Sequence, residues 1–396
     1  MGDMAGRLRD NLGVLVGGFL SLFMLNLLNS AYSPVMALIK EELSLTYTLS
    51  GALMSSYHVG YTLGQIPWGY AADRFGCRRA MTLSLAGAAS AMILFGSSGS
   101  IWLAMASRFL AGLLGAGIFV PSVKLVSARF PPRSRGTVLG FLSIGGSLGL
   151  VAASWFSPIT SISLGWRRAL IILGLLGLAS SIPVWLGLRD GEGNGGRRGG
   201  ELRGILRCRG FWLLALIQFL RLGSYYTFIA WLPLLLGEEH GLSIMAAGAA
   251  LSLFNISGML SNPIGGLVSD LFGERMVLLS TFILSAPATL LLERPGAGPI
   301  LYLTVFAMGW LVNFSRSPSF TIISKLYGEE MAGRISGIHN TFASLGALAL
   351  PFMLGYVRDA ASSYAPGLAA ISALMLLGAI STAILEAPGA GRGDRA

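Results

Sequence analysis

Three arginines, Arg108, Arg221 and Arg316, stand well inside apolar stretches of this 396-residue chain. A charged side chain at the centre of a bilayer costs about 2.5–3.5 kcal/mol on insertion scales, so each needs a reason to be there. All 18 Asp and Glu residues fall in polar connections, at a terminus or at the end of an apolar stretch. No carboxylate is placed to neutralise the arginines, whose planar fork suits a carboxylate or phosphate held by two parallel bonds. An uncompensated positive site asks for an anion. Tyr225 and Tyr226 follow Arg221 by about one helical turn and are candidates to line the same site. Arginine keeps its proton, so among ordinary titrating groups only His58 and His339 remain to carry one, unless both simply bond neighbouring helices. Lys124 sits nearer an end and can snorkel.

Other chemistries lack their residues. Cys77 and Cys208 with three histidines form no cluster at metal spacing, so no metal site is expected. No nucleophile, acid–base pair or G-x-x-x-x-G-K-[ST] phosphate cradle is present. We expect no catalytic residue, no cofactor and no ATP-driven step. The chain does not read as an enzyme.

The elements that position these residues must cross a membrane. The chain is 54% hydrophobic and 12% charged, with a mean hydropathy of +0.69. A soluble domain has about 25% charged residues, so this chain lacks the means to clothe a watery surface. About twelve stretches are long enough (~20 residues) to cross the hydrocarbon core as helices. They are 12–39, 46–72, 80–98, 100–127, 134–158 and 166–188, then 211–236, 244–271, 276–293, 299–326, 332–358 and 364–386. Arg108, Arg221 and Arg316 fall in the fourth, seventh and tenth. The first span is too long and too interrupted by Asn26, Asn29 and Ser30 for a signal peptide.

Most Lys and Arg lie in one set of connections and at both termini, which places those on the cytoplasmic side and makes the number of spans even. The polar stretch 189–210 reads as a cytoplasmic linker between 1–188 and 211–396, with 201–209 able to form a short amphipathic helix on the membrane. It has no aromatics for stacking, so its basic residues do not suggest nucleic acid.

The two halves repeat at an offset of 197 residues. Gly69, Asp73, Gly76 and Arg78 fall on Gly266, Asp270, Gly273 and Arg275; Pro121-Ser122 fall on Pro318-Ser319; Gly51 falls on Gly248. Charged positions are included, and the register holds over nearly ninety residues without a gap. Two pseudo-symmetric six-helix bundles follow, an all-α membrane protein of twelve transmembrane helices.

The segment Gly69-Tyr-Ala-Ala-Asp73-Arg74-Phe-Gly76-Cys-Arg78-Arg79 resembles the loop signature of the major facilitator superfamily, with Gly266 to Arg275 as its weaker copy. Arg108-x-x-x-Gly112 and Gly165-Trp-Arg167 also resemble that family. The resemblance spans the whole chain and implies a secondary transporter with alternating access, its cavity lined by helices 1, 4, 7 and 10. It implies a gating role for Gly69, Asp73, Arg74, Gly76, Arg78, Asp270 and Arg275. By the repeat and the helix dipole, Asp73 is expected near Arg334 and Asp270 near Arg135. We also expect Gly69 and Gly76 to let adjoining helix ends approach closely.

The segment from Gln218 to Ser243 resembles the anion–cation symporter branch, which carries organic anions and has cavity arginines in helices 4 and 7 and often a His in helix 2. Arg108, Arg221 and His58 stand at such places. A glutamate common in that branch after the helix 4 arginine is missing between Gly112 and Gly117. The function expected is transport of a small organic anion, the alternative being a drug or neutral solute. The coupling partner is a proton, sodium or an exchanged anion. The setting is a monomer in the plasma membrane with both termini cytoplasmic, bound to lipid and not to nucleic acid.

Overall fold

A computed structural model describes residues 2–190, 205, 207–293, 296 and 298–385. Among them every regular element is helical. The first half runs α1 (Gly2–Ser30), a 3-10 turn (Ser33–Val35), α2 (Met36–Glu42), α3 (Tyr47–Phe75), α4 (Cys77–Gly96), α5 (Ile101–Gly115), α6 (Phe119–Arg129), α7 (Pro132–Leu164) and α8 (Trp166–Gly187). The second runs α9 (Arg209–His240), α10 (Ile244–Phe272), α11 (Glu274–Leu290), a 3-10 turn (Leu291–Glu293), α12 (Pro299–Phe314), α13 (Arg316–Tyr327), α14 (Glu329–Ala361) and α15 (Ala365–Ile384). The expected amphipathic helix at 201–209 falls largely outside the described residues.

Ten helical stretches are long and apolar enough to cross a membrane. Of the other two expected spans, α3 carries the buried polar residues Ser50, Ser55 and His58 along its length. The other is split at Ser315 into helices of 16 and 12 residues. Large apolar side chains face outward, with Ile66 83% and Leu271 78% exposed, while Ser84, Ser154, Ser257 and Ser261 are buried. Such a surface suits lipid, and hydroxyls inside bond the backbone one turn back, as Ser154 does to Leu150.

Three expected spans are broken helices. The first divides at 31–35, the fourth at 116–118 and the tenth at 315. Proline explains the last two. Pro121 and Pro318 lack the N–H that would reach the carbonyls of Gly117 and Phe314, and their rings clash with those carbonyls. Each proline is tolerated as the third residue of a new helix, α6 or α13.

The chain divides into two compact units. One holds Met1–Leu45, Ala52–Gly196 and Ser243–Ser252; the other holds Thr46–Gly51, Arg197–Leu242 and Leu253–Ala396. The first turn of α3 therefore belongs with the second unit, and the start of α10 with the first. A Cβ on Gly51 would stand 2.8 Å from the Pro351 carbonyl oxygen in the second unit. In the first, a Cβ on Gly248 would stand 2.5 Å from the Ser154 carbonyl oxygen. Both members of this pair of contacts shift by 197 residues.

The repeat recurs in other bonds. Gly76 and Gly273 precede α4 and α11 with φ of 91° and 84°, a conformation all but closed to residues with a Cβ. Arg78 Nε donates to the Trp185 carbonyl at 2.7 Å, and Arg275 Nε to that of Thr382 at 3.2 Å. Trp185 and Thr382 are again 197 apart.

Candidate functional site

In the second unit, α9 sets Gln218 and Arg221 beside the start of α13, against Ser319 and Phe320. Arg221 is 6% exposed. Its Nε donates to Gln218 Oε1 at 3.1 Å, one turn earlier. Gln218 is itself fixed, because its Nε2 donates to the Ser319 carbonyl at 2.9 Å. The guanidinium carbon lies 5.8 Å from the centre of the Phe320 ring. With Nε spent on Gln218, the terminal amines of Arg221 have no acceptor among the described residues.

Arg316 is the first residue of α13 and is exposed. One turn further along its helix are Ser319 and Phe320, the residues that Gln218 and Arg221 meet. Tyr225 and Tyr226 meet edge to face at 5.1 Å, and Tyr225 lies along Phe254 at 6.3 Å. Ser315, at the break, has a buried hydroxyl with no partner among the described residues. No carboxylate bonds the Arg221 side chain among the described residues. Pro318 interrupts the span here and leaves Arg316 at a helix start with its side chain exposed.

Arg108 is the most enclosed of the three at 2% exposure. Its amines donate to the backbone carbonyl and side-chain oxygen of Asn29, each at 3.2 Å. Its guanidinium lies 4.0 Å from the Tyr32 ring centre and 4.9 Å from that of Tyr57. Two aromatic faces and an amide thus do for this cation what a carboxylate would do elsewhere. Close backbone approach makes the arrangement possible, because Gly112 lies where a Cβ would run into the Tyr57 carbonyl. His58 is buried beside Tyr57, ring centres 5.4 Å apart. In the second unit His339 Nε2 lies 3.1 Å from the Phe211 carbonyl, with the rings 4.7 Å apart.

The loop between α3 and α4 has partners within the first unit. Asp73 pairs with Lys124 of α6 at 2.7 Å, and Lys124 also donates to the Gly69 carbonyl at 3.1 Å. Arg74 lies 5.4 Å from the Phe75 ring centre, and Arg78 3.9 Å from that of Trp185. Arg135 donates to the carbonyls of Phe130 and Ser127. The Arg334 side chain lies outside the described residues. The close approach expected at Gly69 is absent, since nothing lies within 4 Å of where its Cβ would be. Gly76 is needed instead for its positive φ.

Sequence reasoning missed several participants. Lys124 was read as a snorkelling cation and is Asp73's partner. Asp190, at the end of the first half, accepts from the Arg78 backbone N–H at 2.9 Å and so caps α4. In the second unit Glu274, at the start of α11, pairs with Lys325 at 2.6 Å. Glu238 accepts from Tyr47 and Tyr364 at 3.0 and 2.9 Å, and Asp359 accepts from the N–H groups of Tyr47 and Thr48 at 3.0 and 2.6 Å. Only contact geometry shows these pairs; the one advance signal was Glu and Asp standing at helix ends.

A repeated bundle of apolar helices, with cations where lipid should be and no catalytic cluster among the described residues, defines a multi-pass membrane transporter. The chain belongs to the Major Facilitator Superfamily, whose model matches residues 18–351 and also 214–394. It is 24% identical to the probable galactarate/D-glucarate transporter GudP of Bacillus subtilis (strain 168), over 93% of this chain and 90% of that protein. It is 25% identical to the D-galactonate transporter of Escherichia coli O6:H1 (strain CFT073), over 88% of this chain and 89% of that one. In fold it is similar to a solved bacterial homologue of the human lysosomal transporter Spinster, described as inward-facing and occupied. There the TM-score is 0.80 and the identity 18%, over 94% of this chain and 96% of that one.

Proposed function

We propose that this chain is a secondary active transporter of a small organic anion bearing a carboxylate or phosphate. The observation that carries the reading is Arg221, buried in the second unit with Nε on Gln218 and no carboxylate bonded to it among the described residues. Arg221 holds the anion through its terminal amines, oriented by Gln218, and Tyr225 and Tyr226 offer hydroxyls beside it. Arg108 is a separate candidate anion contact within the first unit, held by Tyr32, Tyr57 and Asn29. The relatives named as carriers of sugar acids support the anion, since those cargoes carry carboxylates.

The carrier works as a monomer in the plasma membrane with both termini cytoplasmic, its bundles 1–188 and 211–396 joined by 189–210. The loop residues Gly69, Asp73, Arg74, Gly76, Arg78, Asp270, Arg275, Arg135 and Arg334 serve gating. Coupling is by exchange of anions. Arginine cannot release its proton during a cycle, and within the spans His58 and His339 are the groups left for proton coupling. Exchange predicts that proteoliposomes preloaded with galactonate take up labelled galactonate much faster than empty ones. Uptake driven by a proton gradient into empty vesicles, surviving replacement of both histidines by Gln, would refute exchange and the histidine route together.

The anion reading is tested at Arg221. Arg221→Lys keeps the charge but loses the fork, so affinity should fall without vanishing. Arg221→Ala should cost about 2–5 kcal/mol, roughly a thirtyfold to several-thousandfold loss of affinity. Unchanged affinity with a lowered melting temperature would make Arg221 an interhelical brace instead.

A further inference from the structure

We propose that His240, the last residue of α9, is a proton-operated strap within the second unit. As imidazolium it ties the connection between α11 and α12 to the end of α9 by two bonds, and as neutral imidazole it drops one of them. His240 takes no part in the anion site proposed above, so neither proposal depends on the other.

The residue is 9% exposed, and both ring nitrogens face backbone carbonyls. Nδ1 lies 3.1 Å from the Gly296 oxygen and Nε2 2.9 Å from the Leu292 oxygen. A carbonyl oxygen only accepts, so each contact is a hydrogen bond only while its nitrogen carries a proton. The neutral ring has one such proton for two carbonyls, and its bare nitrogen sets a lone pair against an oxygen. Imidazolium donates to both, and a bond from a charged donor is the stronger kind. The position suits a cation as well. His240 closes the last turn of α9, where Gly241 turns the chain with φ of 65° and the negative end of the helix dipole falls. That turn is a firm anchor, because Glu238 on it already accepts from Tyr47 and Tyr364. Among the described residues no charged side chain bonds the ring. The charged neighbours are Glu238 and Glu239 before it in α9 and Glu293 after Leu292 on the 3-10 turn. On α14, Arg358 lies 4.0 Å from Glu239, and Asp359 is taken up by the start of α3. Imidazole changes charge between pH 5 and 8, so the second bond is present on the acid side and is lost as pH rises.

The test uses the purified full chain in detergent, with Cys77 and Cys208 replaced by Ser. A nitroxide label is placed on Leu291→Cys, an exposed position next to Leu292, and its mobility is read by electron paramagnetic resonance at pH 5.5 and pH 8. The ratio of held to mobile label should fall about tenfold or more between the two, the worth of one hydrogen bond to a charged group. His240→Gln, which cannot become a cation, should leave the label mobile at both values. His240→Lys keeps a charged donor throughout this range and should hold the label at both. A ratio that does not change with pH while His240 is in place would overturn the strap. So would a full pH response in a folded His240→Gln variant, which would move the switch to Glu239 or Glu293. A His240→Lys protein whose label loosens at pH 8 as the unsubstituted one does would overturn it too.

Discussion

Arg108 and Arg221 illustrate two ways of keeping a guanidinium inside an apolar bundle. Arg108 is held by Asn29 through its amines and by the Tyr32 and Tyr57 rings, with Nε unpartnered among the described residues; Arg221 is fixed at Nε alone and keeps its other amines for something else. A desolvated cation–π contact is worth up to about 2 kcal/mol. Tyr32→Leu should therefore lower stability by about 1–2 kcal/mol, while Tyr32→Phe, which keeps the ring, should cost less than half as much. Melting curves of the two variants in detergent check this, and equal losses would count against the ring as the stabilising part. The arginines themselves were legible in the sequence because charge inside an apolar span is conspicuous. Their different employment was not. It depends on Asn29 and Gln218, ordinary amides whose partners are 79 and 101 residues away in the chain.

At the scale of helices, the breaks decide which residues end up where. The repeat of Pro121-Ser122 at Pro318-Ser319 was visible in the sequence, yet spans read by hydropathy ran straight through both, because apolarity does not register a missing N–H. The helix ends differ in how firmly they are pinned. Lys124 and Asp73 are 37% and 64% exposed, whereas Glu274 is 3% exposed with Lys325 at 47%. An exposed ion pair contributes about 0.2–1 kcal/mol and fades with salt. Removing the partner of a buried charge costs more, up to about 3–5 kcal/mol for a fully buried pair. Lys124→Ala should thus barely move the denaturation midpoint, and Lys325→Ala should lower it clearly; the difference should persist at high salt. Chemical denaturation followed by circular dichroism at two salt concentrations would show it, and equal effects would refute the contrast. Gly76 and Gly273 were readable as loop glycines, though the reason for them is backbone dihedral rather than close packing.

For the whole molecule, the relevant feature is that neither compact unit is made from one half of the sequence. Ser243–Ser252 complete the first, and Thr46–Gly51 complete the second. Residues 1–204 and 205–396, produced separately, should each be poorly folded, and produced together they should recover a single stable species. Size-exclusion profiles and melting temperatures check this; a half that alone melts like the full chain would refute it. The offset of 197 residues announced the duplication, and hydropathy announced the helices. The exchanged turns were beyond reach of either, since a periodic pattern says which residues correspond and not which of them trade places.

Gly51 against Pro351 and Gly248 against Ser154 are one contact written twice, with the roles of the two copies reversed. Each contact lies inside one unit and is made by a short segment that the other half of the sequence contributes. A duplicated sequence carries such a pairing in both copies and leaves the copies free to diverge elsewhere. Arg221 corresponds by the offset to Met24, and Arg316 to Phe119, so those two cations belong to one copy alone.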